Sequence, residues 1–146
     1  MRLLFYDRVT EIEKGKTITG IKTFTLSEEF HRKHFERIAL VPGVIFIEAM
    51  AQLLGWLIIY SFDFKLSAIM SLIEDITLPA QLRPGFTAEI KGEIVSLSKR
   101  DSLGRAEVYV DGEPVACMNR IIYSHFDMVD PEELKKRFNY YSGLKP

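Results

Sequence analysis

Between Val44 and Phe62 the chain runs for nineteen residues in which only Glu48, Gln52, Gly55 and Ser61 interrupt an apolar and aromatic sequence. A segment apolar nearly all round is stable in water only when other structure encloses it, so this run predicts one long helix at the centre of a fold. Its length also approaches that of a membrane span. Glu48 and Gln52 share one helical face, however, and an acid at mid-membrane costs about 2.5–3.5 kcal/mol on insertion scales. No second span or basic flank accompanies it, which favours a soluble core helix. Pro42-Gly43 opens the segment and His34 lies fourteen residues before Glu48. A helix N-terminus, an acid and an imidazole could therefore meet. Burial disfavours the ionised form of a carboxylic acid, and an imidazole can be neutral near pH 7, so such a meeting would set an acid and a base against one substrate.

The rest of the composition narrows the partners. A chain of 146 residues with 47% hydrophobic content is the size of one domain with a real core. Nineteen basic and twenty acidic side chains leave a net charge of -1, so no summed positive field attracts nucleic acid or an anionic membrane. The single cysteine, Cys117, sits in Val115-Ala116-Cys117-Met118 and reads as a buried structural thiol. The apolar stretch after Met1 is too short for a signal-peptide core, which predicts a cytoplasmic location.

Residues Phe5 to Glu13 and Lys16 to Thr25 are rich in β-branched and aromatic side chains around Lys14-Gly15, predicting two strands and a turn. Ser27 caps a short predicted helix ending near His34, and Phe35 to Val41 follows as a loop. The central helix then extends from Pro42 to about Phe62. Four further strands are predicted over Ser67 to Leu78, Thr87 to Ser98, Arg105 to Val110 and Pro114 to Phe126. Turns are expected at Pro84-Gly85, Asp101 to Gly104 and Asp111-Gly112. Asp130-Pro131-Glu132-Glu133 is a cap, a first-turn proline and an acidic first turn, so Asp130 to about Phe138 closes the chain as a helix. The expected class is α+β, an antiparallel sheet around one helix.

His34-Phe35, Pro42-Gly43-Val44 and Ile47-Glu48-Ala49-Met50-Ala51-Gln52 together resemble the active-site signature of the hot-dog-fold (3R)-3-hydroxyacyl-[acyl carrier protein] dehydratases. The resemblance reaches back through Leu4-Phe5-Tyr6-Asp7-Arg8-Val9 and forward through Leu82-Arg83-Pro84-Gly85 to Tyr109-Val110-Asp111-Gly112, covering about Leu3 to Tyr123. It implies a hot-dog domain over residues 1–126, with residues 127–146 as a C-terminal helical extension of the same domain. It also implies that His34 is the catalytic base, Gly43 a backbone donor to the thioester carbonyl, Glu48 the partner acid, and Gln52 a support for them. Glu rather than Asp at position 48 is similar to the branch that dehydrates without isomerising the double bond.

The resemblance further implies a homodimer with shared active sites, His34 coming from one subunit and Glu48 from the other, and it permits a trimer of dimers. The substrate would arrive on the phosphopantetheine of acyl carrier protein, with no other cofactor. Phe46, Ile47, Met50 and Leu53 are candidates to line an acyl tunnel. Lys33, Arg37, Arg83, Lys99 and Arg100 are candidates to meet the acidic carrier protein, and each also reads as an ordinary solubilising charge. The chain departs from the family pattern at Lys33-His34-Phe35-Glu36, where the family has Gly before the histidine and Pro two residues after it, and at Ala39, where a proline is usual. The departures bear on the tunnel mouth and on substrate choice. Two alternatives stand beside dehydration: a hot-dog thioesterase in which Glu48 activates water, and a non-catalytic acyl-binding or heterodimer-partner subunit. His31 and His34 lack the further ligands a metal site needs, and neither a Gly-x-Ser-x-Gly turn nor a Gly-rich phosphate loop occurs.

Overall fold

A computed structural model describes residues 4–28, 38–79 and 81–144. Six strands form one antiparallel sheet: β1 (Arg8–Glu13), β2 (Thr17–Phe24), β3 (Ser67–Thr77), β4 (Phe86–Leu97), β5 (Asp101–Val110) and β6 (Glu113–Phe126). Their spatial order is β1-β2-β4-β5-β6-β3, so β1 and β3 are the edges. Helix α1 (Gly43–Ser61) connects β2 to β3 and lies across the face that the sheet curls around. Helix α2 (Pro131–Ser142) follows β6. This is the hot-dog arrangement that the sequence predicts. Helix α1 is long and apolar enough to cross a membrane by length and composition, but it is the enclosed core helix of this sheet.

Period-two alternation puts Ile18, Ala88, Ile90, Ala106, Val108, Ala116 and Met118 on the inner face, where they meet Phe46, Met50, Leu53, Leu54 and Leu57 of α1. Each fully buried Leu, Ile, Met or Phe contributes about 1.5–3 kcal/mol relative to exposure. The same alternation turns Cys117 away from the core, so it is half-buried rather than buried. Lys22 is an unexpected buried charge on β2. Its ammonium lies 3.0 Å from a Glu28 oxygen and 3.4 Å from an Asp7 oxygen, which supply the compensation that a desolvated cation requires.

Three boundaries differ from expectation, each for a local reason. Asp101 to Gly104 is not a turn but the start of β5. The turn is Ser98 to Arg100, closed by Ser98 Oγ, which accepts from the Arg100 and Asp101 N–H groups. Gly104 is needed for close approach: a Cβ there would stand 2.6 Å from Leu54 Cδ2 and 3.0 Å from the Glu93 carbonyl. Strand β1 begins at Arg8 rather than Phe5, because the Phe5 N–H leaves the sheet for the Gln52 side chain. Helix α2 runs a turn beyond Phe138 and stops at Gly143, whose left-handed conformation (φ 68°) ends it. Asp130 caps its start by accepting from the Glu132 and Glu133 N–H groups. The Asp111-Gly112 hairpin forms as expected, with both residues at positive φ. The short helix predicted from Ser27 to His34, and most of the following loop, lie outside the described residues.

Candidate active site

Pro42 is the N-cap of α1. It brings no side-chain hydrogen bond to the first turn, and no acidic residue stands in that turn. The first N–H groups, beginning with Gly43, thus lack a side-chain capping acceptor among the described residues, at the positive end of the helix dipole. Gly43 also packs against the end of β3, where a Cβ would come within 3.0 Å of Leu78 Cδ1.

Glu48 follows five residues into the helix, about 7.5 Å along its axis. Gln52, one turn further, donates from Nε2 to Glu48 Oε1 at 3.0 Å. The orientation of that amide is determined by the backbone: the Phe5 N–H donates to Gln52 Oε1 at 3.0 Å, so the oxygen must face Phe5 and the NH2 must face Glu48. One carboxyl oxygen of Glu48 therefore already accepts a hydrogen bond. The other oxygen, Oε2, is the one left to face a substrate.

Beside the pair lies an open cleft of about 300 Å³. Gly55, Trp56 and Ile59 continue the α1 face that begins with Glu48 and Gln52, while Tyr6, Met70 and Tyr123 stand opposite. Tyr123 is fully buried and donates to the Ala51 carbonyl at 2.6 Å. Burial, and secondarily the negative charge of Glu48, push the Tyr123 hydroxyl well above the ordinary tyrosine range, so it remains a neutral donor. Burial also raises the Tyr6 hydroxyl, partly offset by a hydrogen bond from the Trp56 side chain. An acid held at one end of a largely apolar cleft can protonate or polarise an oxygen of a substrate whose tail lies along the helix.

The other predicted site residues separate. His34, Lys33 and Arg37 lie outside the described residues. Phe46, Met50 and Leu53 are fully buried against the sheet, and Ile47 is partly buried beside them, so the cleft next to Glu48 is lined instead by the opposite face of α1. Helical spacing explains this: Glu48, Gln52, Gly55, Trp56 and Ile59 fall at i, i+4, i+7, i+8 and i+11. Arg83 precedes β4 and Lys99-Arg100 follow it, at opposite ends of a strand of twelve residues that spans roughly 40 Å. Within one chain these three cations cannot form one patch. Arg83 is on the side of the helix N-terminus, where the Val41 N–H donates to the Leu82 carbonyl at 2.8 Å. Tyr6, Trp56 and Tyr123 were not singled out from the sequence; continuing the Glu48-Gln52 stripe would have found Trp56.

The described geometry has counterparts among known proteins. A family model described as the FabA-like domain matches residues 1–119. The 3-hydroxyacyl-[acyl-carrier-protein] dehydratase FabZ of Caldicellulosiruptor saccharolyticus is 34% identical over 122 residues, covering 83% of this chain and 86% of the relative. The enzyme of the same name from Exiguobacterium sibiricum is 35% identical over 123 residues, with coverage of 83% and 86%. Among solved structures, smu.793 of Streptococcus mutans bound to acetyl CoA superposes with a TM-score of 0.69 at 14% identity, over 87% of this chain and 94% of that one. A thioesterase of Haemophilus influenzae gives 0.64 at 7% identity, covering 82% and 78%. At such identities these structures establish the hot-dog fold alone. The family match over most of the length, together with relatives above 30% identity, places the chain: it belongs to the family of FabA-like domain proteins.

Proposed function

We propose that this protein is a 3-hydroxyacyl-[acyl carrier protein] dehydratase of fatty acid biosynthesis, and that Glu48 is its acid. The observation that carries the assignment of the acid is the Phe5–Gln52–Glu48 chain of hydrogen bonds, which engages Oε1 and leaves Oε2 for a substrate at one end of a largely apolar cleft. His34 removes a proton from the carbon next to the thioester carbonyl. The electron pair moves onto the carbonyl oxygen, where the Gly43 N–H at the start of α1 stabilises the negative charge. As the enolate collapses, the carbon–oxygen bond at C3 breaks and Glu48 protonates the departing hydroxyl, releasing water and the trans-2-enoyl thioester. Proton exchange between His34, Glu48 and solvent restores the starting state. The step moves protons and breaks one carbon–oxygen bond with no external oxidant or reductant, so the phosphopantetheine that carries the acyl group is the only prosthetic group the step calls on.

The same reading extends to assembly. Strand β3 is an edge strand that exposes Ile69 and Ile76, which suits pairing with β3 of a second copy; the dimer would bring His34 of one chain to Glu48 of the other. The acyl carrier protein would dock on the Arg83 side, near the start of α1, and the enzyme would act in the cytoplasm. Residues 127–146 would belong to the same domain as residues 1–126.

The test is a (3R)-3-hydroxybutyryl thioester on carrier protein, followed simultaneously for enoyl absorbance and for free thiol. Rising absorbance without thiol, and no reaction of the (3S) isomer, is the expected result. Thiol release without enoyl product would make the protein a thioesterase, and neither signal would make it a non-catalytic subunit.

A further inference from the structure

The cleft ends against an element outside the part of the chain that the family model covers. Trp56 and Ile59 form the end of the cleft far from Glu48, with Trp56 eight residues and about 12 Å along the helix. Behind them stands α2, which begins beyond residue 119, where the family match stops. Phe138 is the main buried apolar side chain of α2. Its ring centroid lies 5.4 Å from that of Trp56, 5.6 Å from that of Tyr60 and 5.6 Å from that of Phe64. Ile59 joins the same cluster. Tyr6 lines the same cleft as Trp56. The indole is thus backed by Phe138 on the side of α2.

The helix that supplies Phe138 is itself firmly ended, by the Asp130 cap, by Pro131 in the first turn and by left-handed Gly143. Only Phe138 and Ser142 of its side chains are buried. A helix with so small a buried stripe adds little to a core already closed by the sheet; what it reaches is the back of one cleft wall.

We infer that α2 sets acyl chain length: Phe138 holds the Trp56 indole across the far end of the cleft, so that chains long enough to reach it are disfavoured. The inference rests on the dehydratase reading for the identity of the cleft's occupant. Phe138 acts through Trp56 and is a positioning residue, while Trp56 is the residue a long chain would touch.

The experiment compares kcat/KM for hydration of crotonyl, octenoyl and dodecenoyl thioesters by the full chain and by Trp56→Ala, Phe138→Ala, Phe138→Leu and the double alanine variant. One methylene too many in a hydrophobic pocket is discriminated by about 10–200-fold. The expected result is a rise of about tenfold or more in the dodecenoyl-to-crotonyl ratio for Trp56→Ala, a similar rise for Phe138→Ala, a smaller one for Phe138→Leu, and no further rise in the double variant. Unchanged ratios in folded variants, with a wild type that hydrates crotonyl thioester, would overturn the inference and leave the dehydratase reading intact. A wild type inactive on all three chains would overturn both.

Trp56 is the only tryptophan in the sequence, which gives a second readout independent of turnover. A decyl pantetheine thioether should change its emission and a butyl one should not; equal responses would count against the inference even if Phe138→Ala failed to fold.

Discussion

The two faces of α1 are equally apolar to a first glance and opposite in use. Toward the sheet it presents Phe46, Met50, Leu53, Leu54 and Leu57, all fully buried, packed so closely that Gly104 tolerates no Cβ. Toward the cleft it presents Glu48, Gln52, Gly55 and Trp56, each partly accessible and two of them tied into a directed hydrogen-bond chain. The difference teaches that mean apolarity identifies a central helix, whereas the placement of its few polar and small residues identifies which side borders an open cleft. Substitutions on one face should therefore change stability with the chemistry intact, and on the other should change chemistry with stability intact.

The sharpest way to break this contrast is Glu48→Gln. Loss of the acid should lower turnover by about 10²–10⁴-fold while the thermal midpoint stays close to wild type, measured by enoyl absorbance and by circular dichroism. Leu54→Ala should do the reverse, destabilising by about 2–5 kcal/mol in urea unfolding with activity per folded molecule preserved. Gln52→Leu removes the group that orients the acid and should lower kcat about 10- to 100-fold with little effect on KM. Gly104→Ala forces Leu54 or the β4 backbone to shift and should cost about 1–3 kcal/mol of stability, visible as a lower urea midpoint.

The smallest effect concerns Tyr123, which contributes to both faces through its bond to Ala51. Its folded-state value is raised, so the unfolded chain loses the proton first as pH rises. Its stabilisation is complete below the unfolded value of about 10 and declines above it. Tyr123→Phe should cost about 0.5–1.5 kcal/mol at pH 7 and flatten the decline in stability measured between pH 9 and about 11.

Much of the fold was legible because its signals are local. The Pro42-Gly43 start, the Asp111-Gly112 hairpin and the Asp130-Pro131 cap each act within a few residues, and the structure has a helix or turn at each. The Ser98 turn was misplaced onto Asp101 to Gly104 because Gly104 reads as a turn residue, while its cause is a contact with Leu54, fifty residues away. Glu48 and Gln52 were legible as a polar pair at helical spacing. The role of Phe5 in turning the Gln52 amide was not, since it depends on a backbone N–H forty-seven residues distant. Phe46, Met50 and Leu53, named from the sequence as tunnel candidates, lie on the sheet side because a helix apolar nearly all round does not announce its exposed face by hydrophobicity. Lys22 was unremarkable in sequence, and only the approach of Asp7 and Glu28 explains its burial.

The most direct measurement of the central claim is the loss of absorbance when purified protein meets a crotonyl thioester, with Glu48→Gln, His34→Ala and Leu54→Ala run beside it at matched folded concentration. Hydration by the wild type and by Leu54→Ala, with turnover lowered by about 10²-fold or more in both Glu48→Gln and His34→Ala, is the result this account predicts. Wild-type rates in Glu48→Gln, or equal losses in Glu48→Gln and Leu54→Ala, would contradict it.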